Sequence, residues 1–262
     1  MPTARSVAAA VLPWLVACAG AHRAANAPSS ALAGPTPEIE AAVKAADRPE
    51  ADRALDAGRK PVGLLTFLGV RPGERVAELG AGGGYTTELL ARVVGDKGAV
   101  FAQNAPKMLA LIGTQAIEAR LARPANAHVV RVDREFDDPL PPQAIGLDLV
   151  VMNLIYHDTV WLGVDRDRMN RAVFAALRPG GRYVIADSSA ADGSGAAAAQ
   201  TLHRIDRALV RQEVVRAGFV LESESPLYRN PDDKRDWNSS PRAAGDRRGT
   251  SDRFLLRFVK RR

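Results

Sequence analysis

The residues best suited to chemistry stand together at Glu78-Leu79-Gly80-Ala81-Gly82-Gly83-Gly84. Glycines at alternate positions let a backbone turn tightly and come close to a ligand. Where a helix begins directly after such a loop, its first amide groups face whatever binds there. A dinucleotide-binding loop needs G-x-G-x-x-G, and here Tyr85 occupies the place of the third glycine. A Walker loop needs Gly-Lys-Ser/Thr after the glycines, and that is absent. The spacing therefore disfavours a nicotinamide-linked oxidoreductase and an ATP-binding protein. Taken alone, the loop also suits a glycine-rich turn in any α/β protein; its flanks carry the ligand-site reading.

Those flanks follow from the hydrophobic periodicity. Arg75 to Leu79 is a short strand, and Tyr85 to Val94 a helix with Leu89, Leu90 and Val93 on one face. Before them, the charged and Ala-rich stretch Glu38 to Ala57 has helical spacing, and Leu64 to Leu68 continues a helix that Gly69 and Pro72 end. Further strands are predicted at Gly98 to Ala102, His128 to Val132, Leu147 to Asn153 and Arg182 to Ala186. Helices are predicted at Pro106 to Arg120, Arg166 to Leu177 and Thr201 to Ala217. Strands alternating with helices indicate a parallel sheet covered on both faces. Phe219 to Ser223 and Arg253 to Val259 have no helix between them, and predict an antiparallel pair at the sheet edge.

The loop with its preceding acid resembles motif I of the class I S-adenosylmethionine (SAM)-dependent methyltransferases. That resemblance implies a Rossmann-like, mostly parallel seven-stranded sheet with an antiparallel edge pair and helices on both faces. It implies SAM as cofactor, with Glu78 near the methionine amino group and Gly80, Ala81, Gly82 and Gly84 beneath the ligand. The family usually ends its second strand in an acid that holds the ribose hydroxyls. Here Asn104, beside Gln103, takes that place, and an amide cannot give the bidentate carboxylate contact. Asp133, crowded by Arg134, Glu135, Asp137 and Asp138, stands where the family meets the adenine amino group; a plain acidic loop fits the same residues. Leu147 to Asp158 resembles the fourth-strand motif, which puts Asn153 at the cofactor and Tyr156, His157 and Asp158 on the substrate side. His157 and Tyr156 are the candidate catalytic residues, His157 as a general base because its ordinary pKa is near neutrality. The competing reading is a helix cap, with Asp158 or Thr159 at the N-terminus and Trp161 packed beside it. His203, in His203-Arg204-Ile205-Asp206, would reach the same rim of the sheet or lie on a surface helix face.

The stretch Leu227 to Asp252 is a long insertion between the last two strands, and suits either a lid anchored by Trp237 or a solvated Arg-rich loop. With Arg48 to Asp52 and Arg59-Lys60-Pro61, it makes the chain similar to a group of uncharacterised bacterial methyltransferases, from about Arg48 to Phe258. That group brings no known substrate with it; the expected reaction is SAM-dependent methyl transfer to an unidentified small-molecule acceptor. A non-catalytic nucleoside- or SAM-binding protein on the same fold is the alternative, suggested by Asn104 and by the leader described next.

Arg5, the apolar run Val7 to Ala17 and the small residues after it have the order of a secretory signal. Leu15-Val16-Ala17-Cys18 resembles a lipobox, and Ala25-Asn26-Ala27 offers ordinary cleavage instead. The expected organisation is a signal peptide at 1–27, a linker at 28–45 and a single methyltransferase domain at 46–262. The expected location is the periplasm, or the membrane through a lipidated Cys18; a mis-assigned start would instead mean the cytoplasm. With Cys18 as the one cysteine, no internal disulfide or Cys-rich metal site is possible. None of the four histidines (His22, His128, His157, His203) has HExxH-type spacing, so no metal is expected. The net charge of +6 is compatible with anionic partners. Aromatics are too sparse among the basic residues for a base-stacking surface, so no nucleic-acid partner is expected.

Overall fold

A computed structural model describes Met1 and residues 34–261. The leader, with Cys18 and both cleavage motifs, lies outside the described residues.

Seven strands form one sheet: β1 Arg75–Leu79, β2 Ala99–Asn104, β3 Val129–Asp133, β4 Leu147–Asn153, β5 Leu177–Ser188, β6 Val220–Glu224 and β7 Arg253–Val259. Their order is β3-β2-β1-β4-β5-β7-β6. The first five run parallel. β7 lies antiparallel between β5 and β6, as the edge-pair reading expected. Among the described residues ten helices accompany them: α1 Pro37–Lys44, α2 Glu50–Arg59, α3 Pro61–Leu68, α4 Tyr85–Val94, α5 Pro106–Ile112, α6 Gln115–Leu121, α7 Asp158–Trp161, α8 Arg166–Ala176, α9 Ala199–Leu202 and α10 Arg207–Arg216.

Alternation along the central strands divides the core in two. Val150 and Met152 of β4, with Ala77, Leu79, Tyr183 and Ile185, pack against Met169 and Val173 of α8 and Val210 and Val214 of α10. Leu149 and Val151, with Val76, Val100 and Val184, pack against α1, α3 and α4 through Ile39, Leu65, Phe67, Leu89 and Val93. The same alternation turns Glu78 toward the α4 face, with Val76. β1 lies at the centre of the parallel strands, so its carboxyl end and the glycine loop stand where open α/β sheets hold ligands.

Three helices predicted as continuous are broken. The 38–57 stretch is α1 and α2, separated where the Arg48 guanidinium binds the Val43 carbonyl (2.6 Å) and Asp56 (2.8 Å). α1 also lies within the segment expected to be linker: Thr36 caps it, and Ile39 and Ala42 are buried in the core. The 106–120 stretch splits at Gly113, whose amide closes α5 on Leu109 (2.8 Å). The 201–217 stretch splits at His203, whose φ of 50° is left-handed.

Candidate functional site

Glu78 is buried at 3% exposure, and accepts a 2.5 Å hydrogen bond from Thr87 in the first turn of α4. Among the described residues no cation makes a salt bridge to it. Burial drives its pKa up, and hydrogen bonds from Thr87 and Thr86 with the charges of Arg59 and Arg120 offset only part of that, leaving it at about 7 rather than 4.5. Arg59, at the end of α2, is half-buried and also lacks a carboxylate partner; its guanidinium stacks over the Tyr85 ring at 4.4 Å. Burial lowers the Arg59 pKa, and the charge of Glu78 partly compensates. Among the described residues, Glu78 and Arg59 thus both lack a salt-bridge partner, and each charge acts on the other's pKa.

The glycines divide by role. A Cβ on Gly80 would come 2.5 Å from the Ile155 side chain, so this glycine lets β1 and the β4 end close together. Gly82 has φ of 57°, and nothing lies within 4 Å of where its Cβ would be; this is the open cradle of the loop. We expect Gly80→Ala to cost about 2–4 kcal/mol from clash and left-handed strain. Gly82→Ala costs only about 1–2 kcal/mol of strain, but puts a methyl group into the cradle and weakens ligand binding. Denaturation midpoints and ligand titration of the two variants check this division.

The second-strand amides hold the loop. Asn104 accepts from the Gly82 amide (2.8 Å) and donates to the Gly82 carbonyl (3.1 Å). Gln103 accepts from the Gly80 amide (2.9 Å), and its backbone carbonyl accepts from Ala81 (2.9 Å). Asn104 is 3% exposed, so its amide is spent on the loop's shape where a carboxylate would have been free to face a ribose. Asp133 is exposed and paired with Arg131 at 2.9 Å. Asn153 donates to Thr86 at 3.3 Å, joining the β4 end to the start of α4.

An ion-pair network seals α2 and α6 onto α4. Arg120 reaches Asp52 (2.5 Å) and Glu88 (2.8 Å), and Tyr85 donates to Asp56 (2.5 Å). The tyrosine standing in the third-glycine position is therefore a bracket between the loop helix and the N-terminal layer.

On the substrate side the two candidate catalytic residues stand differently from expectation. Tyr156 is fully buried; its hydroxyl donates to Glu213 (2.9 Å) and accepts from Asn170 (2.9 Å) within the α8/α10 core. A phenol so enclosed cannot meet a substrate. His157 is also buried. Its backbone amide and its Nδ1 both bond Asp187, each at 2.8 Å, while Nε2 faces Asp158 Oδ1 at 3.1 Å and His203 Nδ1 at 3.2 Å. Burial alone would lower the His157 pKa, but the Asp187 charge and the bonds to Asp158 and Asp187 outweigh it and raise it to about 10. Both ring nitrogens are thus engaged, Nδ1 by Asp187 and Nε2 by Asp158 and His203, unlike the free base expected. Asp158 opens α7 without a capping hydrogen bond, unlike the cap reading, and its Oδ1 accepts from Trp161 Nε1 at 2.8 Å.

His203 does reach this rim, but not on a surface helix face: Arg204 and Ile205 beside it are completely buried, and Asp206 caps α10. The 227–252 insertion clamps this segment. Arg204 pairs with Asp233 (2.8 Å) and its guanidinium lies 4.7 Å from the Trp237 ring centroid. Ser239 donates to the His203 carbonyl at 2.7 Å. Arg59 and Asp187 are the functional candidates that sequence reasoning missed. Asp187 carried one usable signal, an acid at the carboxyl end of a predicted strand.

Residues 60–138 match the family described as protein-L-isoaspartate(D-aspartate) O-methyltransferase. The ubiquinone/menaquinone biosynthesis C-methyltransferase UbiE of Vibrio campbellii is 29% identical over 121 residues, which are 46% of this chain and 44% of that protein. The match thus spans less than half the length of that curated relative. Among solved structures, a SAM-dependent methyltransferase from Aquifex aeolicus superposes with TM-score 0.53 at 14% identity, covering 81% of this chain and 98% of the other. A chain of the Haloferax volcanii complex between the Trm112 methyltransferase activator and a methyltransferase gives TM-score 0.54 at 18% identity, covering 88% and 100%. The strand order, the reversed β7 and the likeness to these solved structures give the chain the class I methyltransferase fold.

Proposed function

We propose that the chain is a SAM-dependent methyltransferase acting on a small-molecule acceptor. The observation that carries this is the pair Glu78 and Arg59: a buried carboxylate with no bound cation beside an arginine with no bound anion, next to the open backbone of Gly82. An isolated buried charge is costly, and sites retain one where a ligand supplies its partner. The methionine end of SAM carries an ammonium and a carboxylate, and complements both groups at once. When bound, SAM supplies an activated methyl group on sulfonium. Glu78 and Arg59 then hold the amino-acid end, and Gly82 admits the ligand against the backbone. Asn104 and Gln103 keep the loop in shape before binding, which limits the ordering cost. Catalysis falls mainly to positioning and the exclusion of water.

Incubating the purified chain with methyl-labelled SAM and a small-molecule extract tests the activity. A labelled low-molecular-weight product that depends on Glu78 is expected. Label retained entirely in SAM across extracts from several growth conditions, with SAM bound, would instead make this a binding protein.

A further inference from the structure

Among the described residues, His157, Asp158 and His203 form the one cluster whose histidine and carboxylate ligand atoms lie together, all within 4.8 Å of one another. They come from the β4 end and the α9–α10 connection, and they stand at the rim of the sheet where α/β proteins bind ligands. We propose that these three residues bind a divalent transition-metal ion of the Zn2+ type, with the fourth position open.

The distances carry the argument. His157 Nε2 is 3.1 Å from Asp158 Oδ1 and 3.2 Å from His203 Nδ1, and His203 Nδ1 is 3.4 Å from the same Asp158 oxygen. The three atoms make a nearly equilateral triangle. A tetrahedral zinc site with bonds of about 2.0–2.1 Å has ligand-to-ligand edges of about 3.3 Å. A metal ligand must be unprotonated, so an ion here takes the place of the His157 Nε2 proton and its uptake releases that proton.

The surroundings have the form of a supported site. Metal-bound histidines commonly give their other ring nitrogen to a carboxylate, which fixes the tautomer and aims the ring. Asp187, fully buried, does this for His157 at 2.8 Å. Asp158 is aimed by the Trp161 indole at 2.8 Å. His203 is held in a left-handed backbone, φ 50°, by the insertion residue Ser239; such strain persists where surrounding structure over-determines it, and it concentrates at functional positions. The His203 side chain is 27% exposed, which gives an ion a way in from solvent. Two imidazoles and one carboxylate favour Zn2+ and its first-row neighbours over Mg2+ or Ca2+, which prefer all-oxygen sets. Sequence spacing gave no sign of this site, because the ligands belong to segments 46 residues apart.

The test uses the full chain without SAM, so it is independent of the methyltransferase reading. Protein stripped with a chelator is titrated with Co2+, then with Zn2+ as competitor. We expect one equivalent of Co2+ with visible d–d bands, displaced by one equivalent of Zn2+. His203→Ala should remove the bands, Asp187→Asn should weaken binding about 10–100-fold, and His128→Ala should leave both unchanged. If His203→Ala does not fold by circular dichroism, Asp158→Asn serves in its place. No stoichiometric Co2+ or Zn2+ uptake by the folded wild type overturns the proposal, as does a folded His203→Ala or Asp158→Asn variant that binds like it.

Discussion

Replacing Glu78 by Gln is expected to make the protein more stable above neutral pH and, in the same sample, to weaken SAM binding about 100-fold. In the unfolded chain this carboxyl loses its proton near 4.5, but in the fold it keeps it until about 7. Between these values the folded state holds the extra proton, so stability falls as pH rises from 4.5 to 7 and is level above. The glutamine variant lacks that loss. Its stability relative to wild type should grow by about 3 kcal/mol between pH 4.5 and pH 8, from roughly 1.36 kcal/mol per pKa unit, as read from urea denaturation at both pH values. SAM affinity should drop about 100-fold, because truncating one partner of a buried charge pair costs 2–5 kcal/mol. Arg59→Met should weaken SAM comparably. Neither variant should change binding of 5′-methylthioadenosine, which lacks the amino-acid end. A purely structural Glu78, bracing Thr87, predicts the reverse: lost stability and no selective loss of SAM.

The second large effect is expected at Arg204. This arginine is fully buried, and Asp233, its partner in the insertion, is 1% exposed. Removing one member of a buried ion pair leaves the other charged and unpaired, and costs about 3–5 kcal/mol. Arg204→Ala also withdraws the guanidinium from the Trp237 ring and from the Trp237 carbonyl at 3.0 Å. Urea denaturation should show that loss, and hydrogen exchange should show amides of the 228–252 stretch opening first. Because Ser239 of the same stretch holds His203, Co2+ binding should weaken alongside. A loss below about 1 kcal/mol would mean that the insertion is held elsewhere. The insertion, read from the sequence as a lid anchored by Trp237 or a solvated Arg-rich loop, is fastened at Arg204 through Asp233, with Trp237 against the guanidinium.

The fold was legible because its signal is local. Apolar runs such as Leu147 to Met152 and the alternating βα spacing specify a covered parallel sheet without knowledge of distant contacts. The glycine loop was legible for the same reason: Glu78, Gly80 and Gly82 are contiguous, and the structure brings them together at one strand end. What failed were features decided by tertiary contacts. The helix break at His203 carries no glycine or proline, and an insertion residue holding a left-handed histidine accompanies it; the break before α2 does carry Pro49, its N-cap, beside the Arg48 guanidinium bound to Val43. Tyr156 looked like a substrate-side residue because it follows β4, but the chain turns there, and the phenol faces Glu213, 57 residues away. Asp187 and His203 acquire meaning only when β5 and the α9–α10 connection are brought beside β4.

Calorimetric titration of the wild-type chain with SAM, in buffers of different ionisation enthalpy at pH 6 and pH 8, tests the central claim most directly. If Glu78 must ionise to hold the ligand ammonium, SAM binds at one site, about tenfold more weakly at pH 6 than at pH 8, with close to one proton released at pH 6, from a carboxyl that titrates at about 7. No heat with SAM or S-adenosylhomocysteine, or pH-independent binding without proton release, would contradict it.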